Sequence, residues 1–157
     1  MDKIHWWNTS FGDEEVEKLA ESVANRRISH GAVTEEFEAE LAKALDVPYV
    51  LATTSGSAAL LLALMSVGVG RDDEVIMPDR TWVATAHAAT LLGAKVSLVD
   101  VDPNIPSMDV SQIEAKITSR TKAIMPVHIN GRAVDMQEIH RIAEKHGLFV
   151  IEDAAQA

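Results

Sequence analysis

The chain has 157 residues, of which 47% are hydrophobic and 24% are charged. This length and composition predict a globular chain with one ordinary hydrophobic core. The formal net charge of −10 argues against a general nucleic-acid binder, which needs a basic face for the phosphate backbone. The absence of cysteine excludes disulfides, thiolate chemistry and cysteine-rich metal sites.

Neither a signal peptide nor a membrane span is predicted. The start of the chain, residues 1–7, lacks the long apolar run of a signal peptide. The most apolar stretch, residues 58–69, is shorter than the roughly 20 residues that a bilayer requires. We therefore expect a soluble, cytoplasmic protein without a membrane partner.

Two amphipathic helices are predicted in the first part of the chain. The first begins at the acidic residues 13–15, and the second begins at Thr34, after a polar loop over residues 26–31. Their apolar residues recur with a period near 3.6. These residues are Val16, Leu19, Ala20 and Val23, followed by Phe37, Leu41 and Leu45.

From residue 49 onward, short apolar strands alternate with helices. Wholly apolar strands in this arrangement indicate a mostly parallel sheet with helices on both faces, so the fold class is α/β. In the last helix, Asp135 is the predicted N-cap and Gly147 the predicted stop. The predicted strands cover 49–52, 74–77, 95–99, 123–127 and 148–151, and the predicted helices cover 58–67, 82–92, 110–117 and 136–146.

Three polar segments follow predicted strands, at the edge where parallel sheets bind ligands. They are residues 53–57, 79–82 and 152–156. In the first segment, Gly56 and Ser57 begin a helix, where free backbone N–H groups suit a phosphate, although a capped helix needs no ligand. We expect the three segments to converge.

The other two segments carry an aromatic ring and two acids. Trp82 either stacks on a planar ring or packs in the core. Glu152 and Asp153 could bind a metal, act as a base, hold a protonated heterocycle nitrogen, or cap the next segment.

Other polar residues are interpreted as structural or solvated. No P-loop and no Gly-x-Gly-x-x-Gly motif occurs. The residues given no site role are His87, His128, the acidic turn with Asp100 and Asp102, and Arg26, Arg27 and His30 of the polar loop.

Five segments, in this order along the chain, resemble the DegT/DnrJ/EryC1/StrS family. The resemblance extends from Gly31 and Glu38 to Ala157 and implies a fold type I pyridoxal-phosphate enzyme, typically an aminotransferase that makes amino sugars. The five segments are residues 53–60, 73–76, 81–86, 126–128 with Gly131, and 151–156.

The resemblance also implies a role for each site residue. Gly56 and Ser57 would hold the phosphate of pyridoxal 5′-phosphate, and Trp82 would stack on its ring. Asp153 would pair with the pyridine nitrogen, and Gln156 would lie near the phenolic oxygen. No metal is implied.

The domain organisation follows from the same resemblance. Residues 1–30 would form an N-terminal helix and loop, and residues 31–157 would form the N-terminal part of the cofactor-binding large domain. The Schiff-base lysine, the rest of that domain and a small C-terminal domain are expected beyond Ala157.

The implied function is transfer of an amino group from an amino acid, typically glutamate, to a keto-sugar or sugar nucleotide by a homodimer. Such a reaction serves the synthesis of cell-surface polysaccharides or antibiotics. Two alternatives stay open. One is a sugar dehydratase or deoxygenase of the same family, with histidine in place of the lysine, and the other is a non-catalytic binding or regulatory domain.

Overall fold

The computed structural model describes residues 9–157 of the chain. Residues 1–8, which include the start interpreted as lacking a signal peptide, lie outside the described residues. Contacts divide the chain into a first unit up to Ala52 and a second unit over Thr53–Ala157. The predicted division at residue 30 stays a prediction.

The first unit contains two helices, α1 Asp13–Ala24 and α2 Ala32–Leu45. Helix α1 begins at the predicted residue, and the Gly12 N–H donates to the Glu15 carboxylate over 2.6 Å. Acids in this first turn also favour the positive end of the helix dipole. Helix α2 begins slightly before the predicted Thr34, and no residue of either helix is buried.

The strand predicted over residues 49–52 is wrong. No described strand pairs with this segment, and the Ala52 N–H donates to the Glu38 carboxylate over 2.7 Å instead of joining a ladder. A short apolar run becomes a strand only where a neighbouring strand supplies its hydrogen bonds, which the pattern of one segment cannot show.

The second unit holds the sheet and the remaining described helices. Helix α5 is shorter than predicted and follows a 3₁₀ turn over Val110–Gln112, and the third and fourth strands are also shorter than predicted. The elements are α3 Gly56–Ser66, β1 Glu74–Pro78, α4 Val83–Leu91, β2 Lys95–Val99, α5 Ile113–Lys116, β3 Thr121–Ile124, α6 Met136–His146 and β4 Phe149–Val150.

The four strands are all parallel, in the order β2-β1-β3-β4, which confirms the predicted α/β fold. Alternate side chains of β1 enter different cores, because successive residues of a strand point to opposite faces. Val75 and Met77 pack with Leu64 of α3, whereas Ile76 packs with Ile139 of α6. Helices therefore cover both faces of the sheet.

The connections between the strands explain where a ligand can bind. Helix α4 joins β1 to β2 on one face, while α5 and α6 join β2 to β3 and β3 to β4 on the other. Connections between parallel strands are right-handed. Two connections that lead to opposite sides of the sheet must therefore place their helices on opposite faces. The chain therefore leaves the neighbouring strands β1 and β3 in opposite directions, which opens a crevice at their carboxyl ends.

Local signals set the ends of α6. The Asp135 carboxylate accepts a hydrogen bond from the Glu138 N–H over 3.1 Å, and Gly147 ends the helix with a positive φ of 67°. Both residues act as the sequence predicts.

Within residues 9–157, every helix is too short or too polar to traverse a lipid bilayer.

Candidate functional site

A cavity of about 550 Å³ lies beyond the carboxyl ends of β1, β3 and β4. It brings together residues that are far apart in the sequence, and it includes all five predicted site residues. Their roles toward a ligand stay predictions. The five are Gly56, Ser57, Trp82, Asp153 and Gln156.

The N-terminus of α3 forms one wall of this cavity. Ser55 caps the helix, because its hydroxyl oxygen accepts a hydrogen bond from the Ala58 N–H over 3.2 Å. The N–H groups of Gly56 and Ser57 have no acceptor among the hydrogen bonds of residues 9–157. No atom lies within 4 Å of the place where a Cβ on Gly56 would stand. This wall therefore offers two free donors, a positive dipole end and open space, as an anion requires.

Trp82 lies at the N-terminus of α4, at the edge of the same cavity. Its side chain is 74% exposed, so the core alternative from the sequence is wrong. Stacking of this indole on a planar ring, which would bury apolar area, stays a prediction.

The backbone of Asp153 is fixed between two chain segments. Its N–H donates to the Pro126 carbonyl over 2.9 Å, and its carbonyl accepts from the His128 N–H over 3.1 Å. These two bonds continue the β3–β4 pairing past the ends of both strands, as a parallel bridge between Val127 and Asp153. The backbone therefore holds Asp153 at the carboxyl edge of the sheet.

The Asp153 carboxylate is buried, with 7% of the residue exposed. Oδ2 accepts a hydrogen bond from the Thr85 hydroxyl over 2.7 Å, and Oδ1 accepts one from the Ala155 N–H over 3.2 Å. No ion pair among residues 9–157 includes this carboxylate. A buried anion without a cationic partner is costly, so the cavity is suited to a ligand that brings a positive charge.

Gln156 presents a hydrogen-bond donor to the cavity. Its Oε1 accepts from the Asn130 N–H over 2.8 Å, and a backbone N–H can only donate, so the oxygen of the amide must face Asn130. Gly131 has a φ of +71°, and a Cβ there would lie 3.4 Å from the Gln156 carbonyl oxygen. A glycine therefore lets the two segments approach, and the NH₂ group of Gln156 is left free to donate.

Glu152 adds a second carboxylate to the cavity wall. His128 is buried, and its Nδ1 accepts from the Val134 N–H over 3.3 Å while its Nε2 lies 2.8 Å from Glu152 Oε2. The proton must therefore be on Nε2, where it is donated to Glu152. The interpretation of His128 as a structural residue agrees with these bonds, since His128 orients Glu152 and does not line the cavity.

The other residues that the sequence set aside do not line this cavity. His87 is exposed on α4, and the Asp102 carboxylate accepts from the N–H groups of Asn104 and Ile105 in a local turn. In the first unit, His30 Nε2 lies 3.9 Å from Glu38 Oε1, and Arg26 and Arg27 are exposed.

Two threonines of the site were given no role from the sequence, although both lie in the segment 81–86 that carries the resemblance. Thr85 touches Asp153, and the Thr81 hydroxyl lies 2.8 Å from that of Thr85. Their spacing of four residues across a helix start is a signal that one face carries both hydroxyls. That spacing does not predict the contact of Thr85 with Asp153, which lies 68 positions away in the sequence.

Glu74 has a shifted pKa but lies at the start of β1, at the amino ends of the strands and away from the cavity. Its carboxylate accepts hydrogen bonds from the Thr118 hydroxyl and the Arg120 guanidinium, both over 2.6 Å. The Thr118 bond, assisted by Arg120, lowers the pKa of Glu74 below its usual value, against the opposing effect of burial. This group stabilises the sheet and takes no part in the cavity.

The cavity therefore combines an anion corner, an exposed aromatic face, a buried carboxylate and an amide donor. A phosphorylated ring with a protonated nitrogen and an anionic oxygen matches all four, and pyridoxal phosphate is such a molecule. The same parallel fold occurs in fold type I pyridoxal-phosphate aminotransferases.

Comparison with known proteins gives the family. The model of the DegT/DnrJ/EryC1/StrS aminotransferase family matches residues 9–157, and the chain belongs to this family. The chain is 46% identical over 129 residues to GDP-perosamine synthase of Caulobacter vibrioides, covering 82% of this chain and 35% of that protein. It is 40% identical over 146 residues to the spore coat polysaccharide biosynthesis protein SpsC of Bacillus subtilis, covering 93% of this chain and 38% of that protein.

A solved structure agrees with the family. The crystal structure of NtdA from Bacillus subtilis with bound cofactor PMP superposes with a TM-score of 0.90 at 38% identity, covering 92% of this chain and 33% of that chain. The chain thus spans little more than a third of the length of the curated relatives it matches.

Proposed function

We propose that the whole protein is a pyridoxal-phosphate-dependent aminotransferase that moves an amino group from an amino acid, with glutamate as the expected donor, to a keto-sugar. The observation that carries this proposal is the buried Asp153 carboxylate, which has no cationic partner among the described residues and lines the same cavity as a free helix N-terminus. A ligand that carries both an anionic and a cationic group would satisfy both ends of this cavity.

In this proposal, the N-terminus of α3 binds the cofactor phosphate. The N–H groups of Gly56 and Ser57 donate to its oxygens, and the helix dipole adds a favourable field. Trp82 covers one face of the ring and keeps the ring plane fixed, which excludes water from that face.

Asp153 and Gln156 set the charge on the ring. The Asp153 carboxylate holds a proton on the ring nitrogen, and the Gln156 NH₂ group donates to the phenolic oxygen. When bound, the cofactor supplies an electron sink for the negative charge that develops on the donor's α-carbon as its proton leaves. A protonated ring nitrogen strengthens this sink, so the charge of Asp153 supports the chemistry at a distance from the reacting carbon.

The substrate class is inferred from the relatives. GDP-perosamine synthase and a spore coat polysaccharide protein are named for sugar metabolism, which supports a keto-sugar, linked to a nucleotide, as the amino acceptor. Synthesis of an amino sugar for a cell-surface polysaccharide is the proposed role.

We also propose a homodimer. Helix α1 exposes three apolar side chains at helical spacing, Val16, Leu19 and Val23, each more than 60% exposed. A second subunit would cover such a stripe, since large apolar faces are rarely left in water. Sedimentation of the whole protein should give twice the subunit mass, and an active monomer at high dilution would contradict the dimer.

The function is tested in two stages. The whole protein is first titrated with pyridoxamine 5′-phosphate, followed by fluorescence, and should bind it at a single site. It is then given ¹⁵N-glutamate and a panel of nucleotide-linked keto-sugars, and mass spectrometry should find the label in one of the sugars. Absence of binding would contradict the cofactor, whereas binding without transfer to any keto-sugar would contradict the reaction.

A further inference from the structure

Two threonines form a hydroxyl chain that ends on Asp153. The Thr85 side chain is completely buried and its hydroxyl lies 2.7 Å from Asp153 Oδ2, with the Thr81 hydroxyl 2.8 Å behind it. An ionised carboxylate only accepts hydrogen bonds, so Thr85 must donate its one proton to Asp153. Thr81 must then donate to Thr85, and all donors in the chain point toward the carboxylate.

We propose that Thr85 is a positioning residue for Asp153, supported by Thr81. Each carboxylate oxygen receives one fixed donor, since Ala155 N–H binds Oδ1 and Thr85 binds Oδ2. Two donors on two oxygens fix the plane of the carboxylate as well as its place. This inference rests on the proposed function and deepens it.

The position of Thr85 in helix α4 links two contacts to the ring. Trp82 is the N-cap of α4, and the Thr85 N–H donates to the Trp82 carbonyl over 3.1 Å. One helical turn therefore carries the aromatic platform at its start and the donor to Asp153 at its end. A shift of this turn would move the Trp82 ring and the Thr85 hydroxyl together. The position of the ring relative to the Asp153 carboxylate would therefore be kept.

The test uses pyridoxamine 5′-phosphate, which binds without a covalent link and so reports the non-covalent contacts. In the whole protein, Thr85→Val keeps the shape of the side chain and removes the hydroxyl. We expect about tenfold weaker binding, because a charge-assisted hydrogen bond to a buried group is lost. Thr85→Ser should restore binding to within about twofold, and Thr81→Val should weaken it by about threefold.

The control is Thr90→Val, on the same helix. Thr90 is exposed and its hydroxyl bonds only the His87 carbonyl, over 3.1 Å, so its loss should not change binding. Circular dichroism in the near-ultraviolet absorption band of the bound probe reports the orientation of the ring. It should change in Thr85→Val but not in Thr85→Ser or Thr90→Val.

A double-mutant cycle separates positioning from general packing. In an Asp153→Ala background, Thr85→Val should have no further effect on binding, because Thr85 acts through Asp153. An equal loss in both backgrounds would overturn the inference, and so would wild-type binding by Thr85→Val in the intact protein. If the wild type does not bind the probe at all, the proposed function fails instead, so the two failures are distinguishable.

Discussion

Both units of the chain contain helices with apolar side chains, but among the described residues only the second unit buries such side chains. In the first unit, α1 and α2 are amphipathic, yet Leu19 is 67% exposed and neither helix buries a residue. In the second unit, Leu64 is completely buried, and every described buried hydrophobic residue lies in this unit, between Leu64 and Ala143. The amphipathic pattern of α1 therefore predicts a face that requires a cover, whereas in the second unit the sheet covers Leu64 of α3.

The cavity, like the buried hydrophobic residues, lies in the second unit. All residues that line the cavity belong to the second unit, because only parallel strands bring distant loops to one edge. Over residues 9–52, the first unit has helix starts and carboxylates of its own, such as Gly12 and Glu36, but no sheet edge that gathers them. The following variants compare matched residues of the two units.

The largest difference is expected between two leucines. Leu64→Ala should lower the free energy of unfolding by about 2–5 kcal/mol, because it leaves a cavity in a packed core. In the dissociated subunit, Leu19→Ala should change it by less than about 0.5 kcal/mol, because the side chain is exposed there. Denaturant titration of both variants at low protein concentration measures the contrast, and an equal cost at Leu19 would contradict it. A cost at Leu19 that appears only at concentrations where subunits associate would support the proposed homodimer.

The next effect concerns the charge at the site. Asp153→Asn keeps the shape but removes the negative charge that holds the ring nitrogen protonated. We expect amino transfer to fall by at least about a hundredfold, the equivalent of roughly 2.7 kcal/mol. Single-turnover conversion of the pyridoxamine form by a keto-sugar, followed by absorbance, measures it. Wild-type turnover with full cofactor occupancy would show that Asp153 is a structural cap.

A smaller effect is expected at the phosphate corner. A methyl group at Gly56 meets no protein atom within 4 Å, so Gly56→Ala should leave the fold as stable as before or improve it by up to about 1 kcal/mol. The same methyl group would stand where the phosphate approaches, and pyridoxamine phosphate should bind about tenfold more weakly. The matched variant is Gly12→Ala, at the start of α1, which should not alter binding. Unchanged binding by Gly56→Ala would contradict the proposal that the phosphate binds at the N-terminus of α3.

The smallest effect is a pH-dependent one at Glu74. Because its pKa is lowered in the folded protein, its contribution is present above the unfolded pKa of about 4.3 and is lost as the pH falls through the folded value. Glu74→Gln should cost about 1 kcal/mol at pH 7, and this cost should shrink below about pH 4. Urea titrations across this range measure it.

The control for Glu74 lies in the first unit. Glu36 forms an exposed ion pair with Lys18 over 3.5 Å, and Glu36→Gln should leave the unfolding midpoint unchanged at every pH. A cost at Glu74 that is the same at pH 7 and at about pH 2.5 would show that shape, and not charge, supports the start of β1.

Much of the second unit could be predicted because its signals are local or periodic. The N-cap at Asp135 and the stop at Gly147 depend on atoms within a few residues, and both were predicted correctly. The apolar runs of β1 and β3 predicted buried parallel strands correctly. The segment at 49–52 looked similar and failed, because a strand needs a partner that its own residues do not specify.

The candidate site, like the fold, could be predicted only in part from the sequence. Strand ends, a glycine at a helix start and an acid after a strand indicated where a ligand binds, since parallel sheets place their ligands at one edge. The interpretation of Trp82 stayed open until its exposure excluded the core. Thr85 lies in the segment 81–86 that carries the resemblance but was given no role, because nothing near it in sequence marks its contact with Asp153.

By itself, the sequence determined the fold class, the helix ends that depend on neighbouring residues, and the family that the ordered motifs resemble. Only the tertiary structure decided the strand order, the fate of each apolar face, and the donors that surround the Asp153 carboxylate. The physical reason is the range of the interactions. Caps and periodicity act within about one or two turns of chain, whereas burial and the Thr85–Asp153 bond join residues that the fold alone brings together.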